Sequence, residues 1–282
     1  VSLFHIVAIF GAGIVAGTIN TVVGSGTLFT FPVLLAFGYA PVVANVSNTV
    51  GLVPGSASGA LGYRRELRGQ GRRLARLAVA SVAGGVIGAV LLLSLPAAAF
   101  EAIVPGFIAL ALVLIIFQPR IGGLLARRRA DQGAAGAGDG AGAGDGAGAG
   151  DGAGAGAGTD RRVAREFAGP LATLGVLVGG IYGGYFGAAQ GIMLLAILTL
   201  SIDDHLQRIN ALKVVLAGLV NLVSGIIFVL VANVAWGPAA LIAAGSVLGG
   251  VLGAHVGRRL PPQILRGVIV VVGVAAIVHL VA

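Results

Sequence analysis

The sequence predicts an all-α polytopic membrane protein built from two inverted-topology repeats, with about 8–10 transmembrane or re-entrant helices in all. Three observations carry that expectation. Of the 282 residues, 57% are hydrophobic and only 10% are charged, against about a quarter charged in a soluble domain. Uncharged stretches long enough to cross a bilayer recur along the chain. The two ends of the chain repeat one another at a constant offset, while their charged loops do not. The same composition argues against a disordered chain and against a nucleic-acid partner, although the net charge is +8, because the apolar content is far too high. The absence of cysteine removes disulfides, thiolate metal sites and cysteine nucleophiles together. The four histidines are scattered without metal-ligand spacing, so neither a metal nor a cofactor is expected.

A bilayer core needs about 20 apolar residues of helix. The first long stretch, 3–37, exceeds one span and contains Gly24-Ser25-Gly26; it reads as a helix, a break and a shorter helix from Thr27. No basic region precedes it, so it is expected to be a retained span and not a cleaved signal. A span follows at 42–63. Leu95-Pro96 divides the next stretch into 74–94 and 98–117. The stretch 168–200 repeats the helix–break–helix pattern around Ala189-Gln190-Gly191, with a short helix expected from Ile192. Trp236-Gly237-Pro238 separates 207–232 from 237–256, and Pro261-Pro262 precedes a last span near 263–281. Non-helical backbone at membrane depth must be buried in protein or line a wet cavity. Residues 130–160 differ in kind. They form a Gly-Ala-Asp hexapeptide repeat with Asp139, Asp145 and Asp151, which has no side chains to build a core and reads as a flexible linker. The expected division is therefore repeat 1 at 1–129, linker at 130–160 and repeat 2 at 161–282.

Shifting the chain against itself brings Ser81, Gly84, Gly85, Gly88 and Ala89 onto Ser246, Gly249, Gly250, Gly253 and Ala254. The same shift places Leu95-Pro96 on Leu260-Pro261, Asn45 on Asn210 and Gly26 on Gly191. Charge then sets orientation, since cytoplasmic loops carry the Lys and Arg excess. Loop 64–76 holds Arg64, Arg65, Arg68, Arg72, Arg73 and Arg76, and its counterpart near 229–241 has no charge. Uncharged Ser94-Leu95 corresponds to Arg259-Leu260. Corresponding loops thus face opposite sides, with loop 64–76 and the linker cytoplasmic in a multi-pass plasma-membrane protein. Two oppositely oriented copies can exchange conformations, which is the architecture of secondary transporters. Trp236 and Tyr63 fit an interfacial belt, and Glu101 is expected in water.

Span 42–63 is unusually polar. On a 3.6-residue period Asn45, Asn48, Thr49 and Ser56 share one face. In the second half Asn210, Lys213 and Asn221 occupy matching positions. Such a stripe faces the protein interior or a water-filled path, the alternative being that small and amide residues serve helix packing alone. Lys213, the single lysine, either serves the pathway or snorkels to the interface. Short helices starting after the two breaks would offer free amides and a positive dipole end to an anion. The candidate substrate-binding set is therefore Asn20, Gly24, Ser25, Gly26, Asn45, Asn48, Thr49, Ser56, Gln190, Gly191, Asn210, Lys213 and Asn221, around a small anion. Asp203-Asp204-His205 offers either proton coupling or a solvated loop. An intramembrane hydrolase with Ser25 as nucleophile would need a base within reach. His255 is the one candidate expected to be buried and has no match in the other half, so the chain is not expected to be an enzyme. An anion channel and a non-transporting membrane scaffold are the alternatives to a carrier. The lipid bilayer is the expected partner, and the oligomeric state is open.

The run Gly17 to Gly26, Phe31-Pro32, Ala44-Asn45-Val46-Ser47-Asn48-Thr49 and Tyr63-Arg64-Arg65-Glu66 resembles the first half of the TauE/SafE sulfite-exporter family of membrane permeases. Asn210-Ala211-Leu212-Lys213 and Gly257-Arg258-Arg259-Leu260-Pro261 resemble its second half. The resemblance implies a secondary transporter for sulfite, sulfonates or related small anions in the bacterial plasma membrane. The second break, Ala188-Ala189-Gln190-Gly191, has fewer glycines than that family tends to have, and the Gly-Ala-Asp linker is unusual for it.

Overall fold

The computed structural model describes residues 2–138, 169–202 and 204–256, with five isolated positions between 267 and 278; of residues 118–138 it describes the backbone alone. Most of the last expected span, most of the linker and Asp203 lie outside the described residues. Nine helices make up the described part: α1 Leu3–Val22, α2 Thr27–Ala36, α3 Pro41–Gly62, α4 Gly71–Ser94, α5 Ala97–Gly138, α6 Pro170–Tyr185, α7 Gln190–Ser201, α8 Leu206–Val231 and α9 Trp236–Val256. Five of them contain stretches long and apolar enough to cross a membrane: Leu3–Val22, Gly71–Ser94, Ala97–Phe117, Leu206–Val231 and Trp236–His255. α3 has the length, at 22 residues, but its polar stripe lowers its apolarity. α5 continues past the expected end of its span and nine residues into the stretch read as linker, from 130 to Gly138.

Glycine decides which helices touch. In a membrane no hydrophobic force draws apolar helices together, so small residues at intervals of four let backbones approach and gain dispersion contacts. α1 packs on α9 in this way: a Cβ added at Gly17 would lie 2.4 Å from the Ser246 carbonyl, and one at Gly249 2.1 Å from the Ile14 carbonyl. α4 packs on α6 through Gly84 and Gly88, where an added Cβ would meet the Leu177 and Ile181 carbonyls at 2.3 and 2.1 Å. Under the sequence repeat α1 corresponds to α6 and α9 to α4, so exchanging the halves converts one pair into the other. The hydrogen bonds follow the same rule. Ser81 Oγ donates to the Leu216 carbonyl and Ser246 Oγ to the Gly51 carbonyl, each at 2.9 Å. Both donors and both acceptors are equivalent under the repeat.

α3 and α8 pack against one another in the interior, with α9 on α3 and α4 on α8. Ser47 and Ser58, off the polar stripe, serve these contacts: Ser47 Oγ accepts from the Ala235 N–H at 2.8 Å, and Ser58 Oγ donates to the Val247 carbonyl at 3.0 Å. An aromatic cluster holds the second break. Phe186 lies within it, with its ring 5.1 Å from Phe31 of α2, 5.9 Å from Phe100 and 6.2 Å from Phe107 of α5.

Candidate functional site

Both expected breaks are present. The first leaves α1 at Val22 and enters α2 at Thr27, as the sequence predicts. The second differs slightly. Gln190 opens α7, so the non-helical residues are 186–189. The reason lies in Ala189, whose φ of 59° turns the chain directly into helix; its repeat counterpart Gly24 has φ 92°. Ala189 is the one non-glycine at positive φ among the described residues, a conformation that costs an L side chain about 1–2 kcal/mol. The breaks touch. The Gly191 N–H donates to the Gly24 carbonyl at 2.9 Å, and a Cβ on either glycine would lie 2.4 Å from the other's Cα. Neither α2 nor α7 has a side-chain N-cap; backbone carbonyls serve their first turns instead, Ser25 and Gly26 accepting from Leu28 and Phe29, and Gly187 and Ala189 from Gln190 and Ile192.

The polar stripes tie the breaks to α3 and α8. Asn45 Nδ2 donates to the Tyr185 carbonyl at 2.9 Å, and Asn210 Nδ2 to the Thr21 carbonyl at 3.4 Å. Asn48 accepts from the Thr30 hydroxyl and donates to Thr27 Oγ1 at 3.2 Å, holding α2. Lys213 is fully buried and does not snorkel. Its Nζ donates to the Asn20 and Thr21 carbonyls, both at 3.2 Å. These carbonyls belong to the last turn of α1, and the amides just beyond, of Val23 and Gly24, both bond to Ile19. The ammonium therefore sits on carbonyls that the helix cannot satisfy, at the negative end of its dipole. Asn20 and Asn221, both half-buried, point Nδ2 at Ser56 Oγ from 3.4 and 3.5 Å. The Ser56 and Thr49 hydroxyls donate to carbonyls four residues back, at 3.0 and 2.9 Å. Gly26 keeps the break compact: a Cβ there would lie 2.4 Å from the Ala16 carbonyl.

Four residues of this set retain buried polar atoms without a hydrogen-bond partner: Ser25 Oγ, Gln190 Nε2, Asn45 Oδ1 and Asn210 Oδ1. Such atoms are rare in folded proteins and costly, about 1–3 kcal/mol each. They form two pairs under the repeat, Ser25 with Gln190 and Asn45 with Asn210. Gly183 makes room for Gln190; a Cβ there would lie 2.2 Å from its Cδ. Tyr185 is a residue that sequence reasoning missed. Its hydroxyl is also unpartnered, and its ring lies 5.7 Å from both Phe100 and Phe107. Its alignment with Asn20 under the repeat was the signal available.

Three expectations change. Tyr63, read as interfacial, is buried with Ala211, Val214 and Ala254, because α3 ends against α8 and α9. His255, read as buried, is exposed and bonds to the Val251 carbonyl one turn back at 3.0 Å. A Ser25 hydrolase loses its proposed base. Asp204 is not simply solvated. It pairs with Arg73 at 3.1 Å and Arg208 at 3.0 Å. Burial raises its carboxyl pKa, but the Arg208 charge and hydrogen bond, the His205 N–H and Arg73 outweigh burial and hold it below the ordinary value. Gln70 Nε2 donates to the Arg208 carbonyl and Arg208 Nη1 to the Arg68 carbonyl, each at 3.2 Å, so loop 64–76 clasps the start of α8. Lastly, a cavity of about 580 Å³ opens at the C-terminal end of α3, lined by Ser58, Arg64, Arg65 and His255 among others; it includes none of the candidate residues.

Apolar helices of membrane-crossing length around paired breaks and buried, internally matched polar groups define a multi-pass membrane protein of the transporter class. The chain belongs to the sulfite exporter TauE/SafE family, whose model matches residues 9–280. It is 27% identical over 268 residues to a probable membrane transporter protein of Haemophilus influenzae, covering 93% of this chain and 89% of the relative. It is 23% identical over 266 residues to the probable membrane transporter protein YfcA of Escherichia coli K12, covering 94% and 85%. A probable membrane transporter protein ORF9 of Sinorhizobium sp is 32% identical over 121 residues, covering 42% of this chain and 46% of its own. No solved structure matches the chain.

Proposed function

We propose that the protein is a secondary transporter of a small anion, sulfur-containing as sulfite or a sulfonate is, working by alternating access between two inverted halves in the plasma membrane. One observation carries the reading. The buried polar atoms left without partners, Ser25 with Gln190 and Asn45 with Asn210, sit at equivalent places in the two halves, as a site shared by two copies of one unit requires. Ser25 and Gln190 supply donors to the anion from the two breaks. Lys213 supplies a positive charge at the end of α1, beside the first break. The contacts that exchange when the halves exchange, α1 on α9 and α4 on α6, support a rigid-body movement of matched units. The arginine bias supports a cytoplasmic location for loop 64–76 and the linker, with halves 1–129 and 161–282 in opposite orientation. Protons are the candidate coupling ion.

The test is flux in proteoliposomes holding the purified protein, with sulfite, sulfoacetate and sulfate, with and without a pH gradient. Saturable flux of at least one sulfur oxyanion is expected, lost in Ser25→Val and Gln190→Leu while membrane insertion is unchanged. Flux that rises without saturation would replace the carrier by a channel. Wild-type flux in both variants would remove the breaks from the site.

A further inference from the structure

The cavity at the C-terminal end of α3 stands apart from the paired breaks. It encloses about 580 Å³ between α3, the first residues of loop 64–76 and the last turns of α9. A close crossing of α3 and α9 forms its wall. A Cβ added at Gly250 would lie 2.1 Å from Ser58 Oγ, and one at Gly62 2.3 Å from Ala254 Cβ. The Ser58 proton is shared between the Gly55 and Val247 carbonyls, at 2.9 and 3.0 Å, so this hydroxyl serves the wall. α3 ends at Gly62 and the apolar stretch of α9 at His255. The cavity therefore lies where apolar helix gives way to the arginine-rich loop, the depth of lipid headgroups. The arginine bias supports the cytoplasmic face for that end, and that leaflet carries anionic lipids.

The lining is two-sided. Leu61 and Val251 contribute apolar surface, 69% and 45% exposed. Arg64 and Arg65 line it too, both exposed, and neither guanidinium makes an ion pair or hydrogen bond among the described residues. His255 Nδ1 bonds to the Val251 carbonyl at 3.0 Å. A carbonyl only accepts, so Nδ1 carries the hydrogen and Nε2 is left for a ligand. No carboxylate lines the cavity among the described residues. The C-terminal carbonyls of α3 and α9 would by themselves repel an anion; the two adjacent arginines reverse the sign. Guanidinium groups match phosphate oxygens in geometry and charge. A free phosphate has no use for Leu61 and Val251, and a zwitterionic lipid sets its own cation against the arginines.

We propose that this cavity binds the headgroup of an anionic glycerophospholipid of the cytoplasmic leaflet. Arg64 and Arg65 hold the phosphodiester. His255 Nε2 donates to it as imidazolium, or accepts from a headgroup hydroxyl when neutral. The acyl chains leave over Leu61 and Val251. A lipid so held joins the ends of α3 and α9, helices from opposite sides of the linker.

The experiment is native mass spectrometry of the delipidated full chain in detergent, titrated with phosphatidylglycerol, phosphatidylcholine or inorganic phosphate. One phosphatidylglycerol should be retained about fivefold more tightly than phosphatidylcholine, or better, and excess inorganic phosphate should not displace it. Arg64→Gln and Arg65→Gln should each weaken its binding about fivefold, and together tenfold or more. Arg68→Gln with Arg72→Gln removes the same charge from the same loop outside the cavity, and should change binding less than about twofold, since screening confines the effect of a distant charge. Equal losses in the two double variants would reduce the contact to general charge attraction. Equal retention of the two lipids would remove the arginines from it. Displacement by inorganic phosphate would make the cavity a free-anion site, and displacement by sulfite a vestibule of the transport path. Each of these results overturns the proposal.

Discussion

Replacing Gly24 with alanine is the most direct perturbation of the meeting point of the two breaks. The new Cβ would lie 2.4 Å from Gly191 Cα and 2.8 Å from its carbonyl carbon, both backbone atoms that no rotamer change can move. Overpacking of this kind costs about 1–3 kcal/mol. Gly24 also holds φ at 92°, which costs an alanine about 1–2 kcal/mol. Separating the breaks loses the 2.9 Å bond from Gly191 to Gly24, a loss of about 1 kcal/mol. Together these destabilise the protein by about 3 kcal/mol or more, non-additivity included. Gly38→Ala is the matched control. Gly38 has φ 81° but nothing within 4 Å of its added Cβ, so it carries the conformational cost alone, about 1 kcal/mol. Thermal unfolding of the purified protein in detergent, with flux in proteoliposomes, reads both variants. Gly24→Ala should unfold several degrees below Gly38→Ala and lose transport, which Gly38→Ala keeps. Equal midpoints would refute the contact between the breaks.

Lys213→Met removes the donor from the Asn20 and Thr21 carbonyls and should destabilise by about 2 kcal/mol and abolish flux; Lys213→Arg should recover stability first, and a methionine variant with wild-type midpoint would show that the α1 carbonyls do not depend on the ammonium. Ala189→Gly should raise the unfolding midpoint, releasing about 1 kcal/mol of left-handed strain, and an unchanged or lower midpoint would count against the φ of 59°. Asp204 has a folded carboxyl pKa below its ordinary 3.8. Its ion pairs therefore contribute fully above that value and are lost as pH falls from there through the lower folded value. Stability curves of wild type and Asp204→Asn should run parallel from pH 5 to 8, offset by about 1 kcal/mol for these partly exposed pairs, and converge at lower pH; an offset that persists under acid would refute the assignment.

The long helices were legible in the sequence because their cause is local. Apolar runs set where α1, α3, α4, α8 and α9 lie to within a few residues, Pro96 and Pro238 mark starts, and Gly24 marks a break that glycine alone makes easy. The repeat was legible because it is written in residue identity, which matches Ser25 to Gln190, Asn45 to Asn210 and Asn48 to Lys213. Partnership was not. Which carbonyl Lys213 meets, that Asn48 is used up on α2 while Asn45 keeps a free oxygen, and that Ala189 adopts a glycine's backbone depend on where other helices lie. The exposure of His255 and the burial of Tyr63 depend on the same arrangement. A residue's type states what it can bond; only the packing of α1 on α9 and α4 on α6 decides which of those bonds are made and which buried atoms are left without a partner.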